Sequence, residues 1–420
     1  MQPAKQPEFK EILEHSLSAD QLRLLNLVRE TATQRGLPLY IVGGAVRDLV
    51  LGRRLTDFDL TVEGDAIGLA HALSARHGGG VTAHLKFGTA KWFLPPALKT
   101  GHDTLDLISA RSETYRHPAA LPTVRPGSIA DDLRRRDFTI NAMALRLDGS
   151  HFCELRDDLH GLADLEKGLL RVLHPGSFID DPTRLYRLVR YEGRYDFQIA
   201  EDTTALIPDA RAYVQRLSPQ RIRHELDLIL DEPNAVSILK RLDTLDLLSA
   251  VHPLLASFER SHLATLKSQD LMLQTRNSRW VLWLMHLSDQ EIEFLNDRLH
   301  FTADLLKVLH SASQLKANLA GLSGLQPSQA VDVLEGYSVK AIELLSRAAE
   351  DEEAKKVLAQ YLSDWRRVKP KTTGHDLKTL GIRPGPQYTE ILRRLRAAWL
   401  DGEVKTEEEE KKMLEEMLKE

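Results

Sequence analysis

The chain has 420 residues, 42% hydrophobic and 28% charged, with a net charge of −5 and a single cysteine, Cys153. That length exceeds one ordinary core and predicts two to four domains of a soluble globular protein. A lone cysteine excludes an internal disulfide and any cysteine-built metal cluster, and it fits a reducing cytosol. The acidic balance argues against a surface that is basic throughout, so contact with nucleic acid has to come from local clusters.

The N-terminus, residues 1–10, is polar and lacks the apolar centre of a secretion signal. No window approaches 18 apolar residues, so no membrane span is expected. These readings together predict a cytoplasmic protein. Ser18 is an N-cap for a helix over residues 19–35, which Gly36 ends. Residues 37–42 read as a buried strand, followed by Gly43-Gly44 and a short helix over residues 45–51. Residues 57–62 alternate like a strand, and residues 65–77 read as a helix ended by three glycines. Further strands are predicted over residues 81–85, 89–94 and 104–108. Pro118, Pro122 and Pro126 mark residues 112–128 as an exposed loop.

From about Asp131 onward the pattern turns helical and stays so. Strands and helices in separate blocks predict an α+β head, a small mixed sheet with flanking helices, followed by all-helical neck, body and tail domains. The expected boundaries are 1–147, 148–217, 218–325 and 326–420. The end of the chain, residues 405–420, reads as a solvated Glu/Lys helix.

Three constellations carry chemistry. In the first, Gly43 and Gly44 stand between a strand and a helix, where backbone N–H groups can approach a phosphate. Arg47 follows one turn into the helix and can fork onto phosphate oxygens. Ten residues on, Asp57 and Asp59 alternate on a strand, so both carboxylates face one way. Two such carboxylates repel unless a cation sits between them, and Mg²⁺ takes carboxylate oxygens together with substrate phosphates. The second is the run from Asp132 through Arg134, Arg135, Arg136 and Asp137 to Asn141. Three adjacent arginines are costly to hold together without anions nearby. The third is Asp180-Asp181-Pro182-Thr183-Arg184, continuing to Arg187 and Arg190. Asp181 is a good N-cap, Pro182 suits the first helical position, and the three arginines recur along one side.

In this order, these motifs resemble the class II tRNA nucleotidyltransferases, the CCA-adding enzymes and bacterial poly(A) polymerases of the DNA polymerase beta superfamily. The resemblance covers residues 40–230 and includes Ser218 to Leu226. Beyond that it is carried only by Gly374-His375-Asp376-Leu377 and by residues 381–386. It implies Asp57 and Asp59 as Mg²⁺ ligands and Asp106 as a third catalytic carboxylate. Gly44 and Arg47 would hold triphosphate, and Arg136, Asp137 and Asn141 would contact sugar and phosphates. Asp181 and Arg184 would read the base, with Arg187 and Arg190 reaching the phosphates. Family members usually carry Glu where Asp180 stands.

The implied activity is template-independent addition of C and/or A to the tRNA 3′ end from CTP and ATP, with release of pyrophosphate. CC-adding or A-adding enzymes, a poly(A) polymerase and a non-catalytic RNA-binding protein are the alternatives. In the family that the chain resembles, CC-adding enzymes typically lack a flexible loop in the head, so the resemblance makes the long segment 111–129, with Tyr115, Arg116 and Arg125, favour an enzyme able to incorporate A. The acidic C-terminus counts against poly(A) synthesis. Trp280, Trp283, Trp365 and Trp399 are expected in the core rather than as base-stacking platforms.

Overall fold

In the computed structural model, residues 6–55, 60–114, 116–120 and 122–419 are described. Asp57, Asp59 and Tyr115 lie outside them. The chain forms two compact units: Met1–Arg221 with Leu245–Ala250, and Ile222–Thr244 with Val251–Glu420. The first is the α+β head with its helical extension. The second is all helical among the described residues.

The first unit opens with α1 (Gln6–Ser16) and α2 (Ala19–Gln34). Ser18 caps α2 in a capping box with Gln21, as its position predicts. Then come β1 (Leu39–Val42), α3 (Gly44–Val50), β2 (Leu60–Val62) and α4 (Ala66–His77). The carboxylate of Asp65 accepts the Gly68 N–H and caps α4. β3 (Gly80–His84), β4 (Thr89–Phe93) and β5 (Thr104–Ser109) follow. All four residues of β1 are buried, which places this strand at the heart of the sheet.

Two expectations need correction after β5. Residues 111–129 are not a plain loop: β6 (Arg111–Thr114) and β7 (Thr123–Pro126) pair antiparallel as a ribbon. Pro126 ends its strand, a position where its missing N–H costs nothing to a central ladder. Nor does the chain stay helical after Asp131. α5 (Ile129–Arg134) is followed by β8 (Ala144–Arg146) and β9 (Glu154–Arg156), which extend the main sheet beside β1. The sheet order is β3-β4-β5-β2-β1-β8-β9, with β2 and β5 parallel and the other neighbours antiparallel. Strands of three residues are too short to print a period of two on the sequence. Tyr40 and Val42 of β1 pack with Ile129 and Leu133 of α5 and Ala144 of β8 in one core cluster.

Past the sheet lie α6 (Gly161–Glu166), the short strand β10 (Leu169–Leu170), α7 (Ser177–Asp180), α8 (Thr183–Tyr195) and β11 (Gln198–Ile199), which pairs parallel with β10. α8 begins one residue later than Pro182 at the first helical position would place it. Asp181 still serves the helix start, because its carboxylate accepts the Thr183 N–H at 3.0 Å.

In the second unit, Trp280 and Trp283 are fully buried and stack with ring centroids 5.1 Å apart, so they are core as expected. The last helix, Glu407–Met417, departs from the solvated reading. Glu410 is completely buried and accepts the backbone N–H groups of Lys371 and Thr372, at 2.9 and 2.6 Å. Trp399 Nε1 also donates to it. The sequence offers no mark separating this glutamate from its exposed neighbours. No helix among the described residues is long and apolar enough to cross a membrane.

Candidate active site

Three stretches separated by some ninety and forty residues meet in one cavity of about 340 Å³. It is lined by Gly44 and Arg47 from the first motif, Arg135, Arg136, Asp137 and Asn141 from the second, and Asp181, Arg184 and Arg187 from the third, with Glu113 and Tyr191. Five arginines face three carboxylates there, so the lining favours an anion. A second cavity of about 390 Å³ adjoins it and shares Gly44, Arg135 and Arg136. Its other lining includes Ala45, Asp48, Arg54, Thr61 and Ile108.

The turn from β1 into α3 is built on Gly43, whose φ of 67° is a left-handed conformation that suits glycine. The space is constrained as well: a Cβ on Gly43 would overlap Nη1 of Arg136. That contact joins the first motif to the second. Arg47 is buried and joins them again, since its Nη1 donates to Asn141 Oδ1 at 2.6 Å. Its Nε and Nη2 donate to the two oxygens of Asp48, each at 3.0 Å.

The arginine run finds its anion within the motif. Asp132 is fully buried and accepts from Arg135 at 3.0 and 2.7 Å and from Arg136 at 2.8 Å. Arg134 points outward to solvent. Burial alone would raise the Asp132 carboxyl, but the charges of Arg136 and Arg135 outweigh it and hold it below its usual value. Nε of Arg136 is buried with no hydrogen-bond partner among the described residues, an orphaned donor on a cation. Arg135 also reaches Glu113 of β6 at 3.2 Å, and Arg111 donates to the same oxygen at 3.1 Å. The ribbon is thereby tied to the cavity wall.

Asp137 orients two other predicted residues. It accepts from Asn141 Nδ2 at 2.9 Å and from Arg187 at 2.9 and 2.6 Å. Burial pushes its carboxyl up, but Arg187 and the Asn141 hydrogen bond prevail and lower it. Arg184 is buried; it donates to Ser177 Oγ at 2.6 Å and to the Arg135 carbonyl at 2.7 Å. Asp181 accepts from Thr183 Oγ1 and from Arg221 Nη2, both at 2.6 Å. Arg221 belongs to the last motif of the resemblance, which thus reaches the site through Asp181.

Two predicted residues stand apart. Arg190 is buried but does not line the cavity; its guanidinium carbon lies 5.3 Å from the Tyr191 ring centroid. Asp106 lines neither cavity and pairs with Lys91 of the facing strand at 3.2 Å. It does share a strand face with Ile108, which lines the second cavity. Among the described residues no three His, Cys, Asp or Glu side chains gather as a metal site.

Sequence reasoning placed Asp132 and Arg135 in the second motif without giving them a role, and it missed Glu113 and Tyr191. Tyr191 was findable, since it stands four residues after Arg187 on the same helix face. Glu113 was not, because its place depends on a ribbon whose strands have no periodic signal.

Residues 39–171 match the family described as the Poly A polymerase head domain, and residues 196–259 match the probable RNA and SrmB-binding site of polymerase A. An A-adding tRNA nucleotidyltransferase of Halalkalibacterium halodurans is 34% identical over 411 residues, covering 95% of this chain and 93% of that one. The Thermotoga maritima CCA-adding enzyme solved with tRNA_CCA superposes with a TM-score of 0.77 at 29% identity, over 97% of this chain and 98% of the other. A CCA-adding enzyme in complex with ATP gives a TM-score of 0.78 at 29% identity, with the same coverage.

Proposed function

The chain belongs to the class II tRNA nucleotidyltransferases, the family of the CCA-adding enzymes with a poly(A) polymerase type of head, and from that premise we propose that it adds nucleotides to the tRNA 3′ end without a template, the terminal A foremost. The observation that carries this reading is the meeting of Gly44 and Arg47 with residues of the second and third motifs in one arginine-rich cavity.

The base would be read by Asp181 and Arg184. Cytosine and adenine each offer an amino donor beside a ring-nitrogen acceptor, and one acceptor-only plus one donor-only side chain matches both. Guanine and uracil present the reverse order and leave both side chains unpaired. Ser177 and the Arg135 carbonyl hold Arg184 in a set orientation, as such discrimination requires. Gly44 and Arg47 would hold the triphosphate, and Arg136 and Arg187 would neutralise charge on the leaving pyrophosphate. The buried Nε of Arg136, unpartnered among the described residues, fits an anionic ligand.

The donor set assigned to Mg²⁺ is carboxylate only, which suits a hard, oxygen-seeking ion. Asp57 and Asp59 would hold it, with Asp106 of β5 as a support. When bound, such ions lower the pKa of the attacking 3′-hydroxyl and stabilise the departing pyrophosphate.

The A-adding activity is supported by the near full-length likeness to the Halalkalibacterium enzyme. Full CCA addition is the second reading, favoured by the likeness to CCA-adding structures over 97% of the chain. One assay separates them. The protein is incubated with Mg²⁺ and tRNA lacking CCA, ending in C, or ending in CC, with CTP, ATP or both, and products are sized. Extension of only the CC-ended tRNA by one A supports A addition. Growth of the shortest tRNA by CCA supports the second reading. No extension of any tRNA, or extension that survives chelation of Mg²⁺, sinks both.

A further inference from the structure

Helix α8 carries Arg184 at its start, with Asp181 two residues before the helix begins, and two tyrosines near its end that the nucleotide-reading roles leave unused. Arg184 and Tyr195 are separated by roughly 16 Å along the helix. The Tyr195 ring centroid lies 4.6 Å from the guanidinium carbon of Arg47 and 4.6 Å from that of Arg53. One turn back, the Tyr191 centroid lies 5.5 Å from Arg47 and 5.5 Å from Arg187. The rings stand 5.7 Å apart at 50°. These distances are those of cation–π attraction, in which a guanidinium sits by the negative face of a ring.

The origins of these partners matter. Arg47 belongs to α3 and Arg53 to the segment just after it, which runs toward β2. Both are far from α8 in sequence. Nε, Nη1 and Nη2 of Arg47 each donate one N–H to Asp48 or Asn141, which leaves an N–H on each Nη for a phosphate and the flat face for a ring. Arg53 is exposed, and Tyr195 does not line the cavity. The ring attracts two like charges that otherwise repel.

We propose that Tyr195 is a positioning residue for nucleotide binding: its ring holds Arg47 and Arg53 to helix α8, so that one rigid element sets both the base-reading pair and the phosphate-holding guanidinium. This rests on the reading of Arg47 as a triphosphate contact. The ring and not the hydroxyl is the agent, so a phenylalanine keeps the function and an aliphatic side chain of similar bulk loses it.

The test measures kcat and KM for ATP on a CC-ended tRNA with the full chain. Tyr195→Leu raises KM for ATP about tenfold, as expected for losing two cation–π contacts, and leaves kcat within about twofold. Tyr195→Phe stays within about twofold of wild type in both. Arg53→Gln, a change at an exposed residue, raises KM about threefold and adds little when combined with Tyr195→Leu. An unchanged KM in Tyr195→Leu overturns the proposal, as does equal damage from Tyr195→Phe, a loss confined to kcat, or fully additive effects of the two sites. Should Tyr195→Leu fold poorly, the Arg53→Gln value alone decides: no rise in KM overturns it. Arg47→Ala separates this inference from the functional reading beneath it. If Arg47→Ala raises KM and Tyr195→Leu does not, only the positioning role fails; if Arg47→Ala leaves KM unchanged, the triphosphate assignment itself fails.

Discussion

Asp132 is the residue on which the arginine-rich wall depends. It is fully buried, and its two oxygens divide Arg135 from Arg136. Removing one partner of a buried ion pair strands the other charge and costs about 3–5 kcal/mol. Asp132→Ala is therefore expected to lower the unfolding free energy measured in urea by an amount in that range, and a change under about 1 kcal/mol would refute the role. The pH dependence has a definite sign. The folded-state carboxyl is depressed, so its stabilising share is present above the ordinary carboxylate value near 4 and is lost as pH falls through the lower folded value. Arg184 makes a different case, because its loss acts on selection. Arg184→Ala leaves Ser177 Oγ and the Arg135 carbonyl without their donor, at about 1–3 kcal/mol of stability. We expect the ratio of kcat/KM for ATP over GTP to collapse while some chemistry remains. Retained selectivity in steady-state kinetics would count against base reading by Asp181 and Arg184.

At the scale of elements, legibility followed how loudly a segment announces its own period. β1, α3, α4 and β3 to β5 lie within a residue or two of their predicted bounds, because each has a capping residue, a glycine stop or a full alternation. The ribbon β6–β7 was hidden by three prolines, and β8 and β9 by their length of three residues. Buried Glu410 was hidden inside an acidic run, since its burial is decided by residues 371–372 far off in sequence. Most of the cavity lining was legible from contiguous motifs, although Arg190 of the third motif does not line it. Glu113 was not, because it reaches the cavity through tertiary pairing. One pair of helices carries a measurable consequence. His310, on the helix Ala303–Ala317, lies between Asp289 and Glu293 of the helix Asp289–Leu299, at 2.7 Å from each. Burial lowers its pKa, but the two carboxylates prevail and raise it above the usual imidazole value. Its contribution to holding these helices is therefore full below about pH 6.5 and lost as pH rises through the folded value. His310→Gln is expected to flatten that part of the stability profile. An NMR titration placing His310 at or below 6.5 would contradict it.

At the scale of the molecule, the two units are not two successive pieces of chain. The first takes Met1–Arg221 and then reclaims Leu245–Ala250 from the middle of the second. The reclaimed segment is bonded in place. Tyr186 Oη of α8 donates to the Leu247 carbonyl at 2.8 Å, Gln215 donates to the Ala250 carbonyl at 2.6 Å, and Arg211 pairs with Asp246. Leu247 and Leu248 are fully buried. A buried hydrogen bond contributes about 1 kcal/mol and each buried leucine roughly 1.5–3 kcal/mol, so the segment is worth roughly 4–7 kcal/mol. That is comparable to the whole stability of many domains. A fragment ended after residue 221 keeps every residue that lines the cavity, with Arg221, yet lacks this segment, whereas one ended after residue 252 keeps both. The longer fragment also carries residues 222–244, whose buried positions Ile238, Leu239 and Leu242 belong to the other unit and work against it. The difference in melting temperature is therefore diagnostic in sign. Circular dichroism should show the longer fragment melting higher, by less than the roughly 8–28 °C that the segment alone would give at about 2–4 °C per kcal/mol for chains of this size. Equal melting, or a more stable short fragment, would mean that α8 and the site it carries are held without the reclaimed segment.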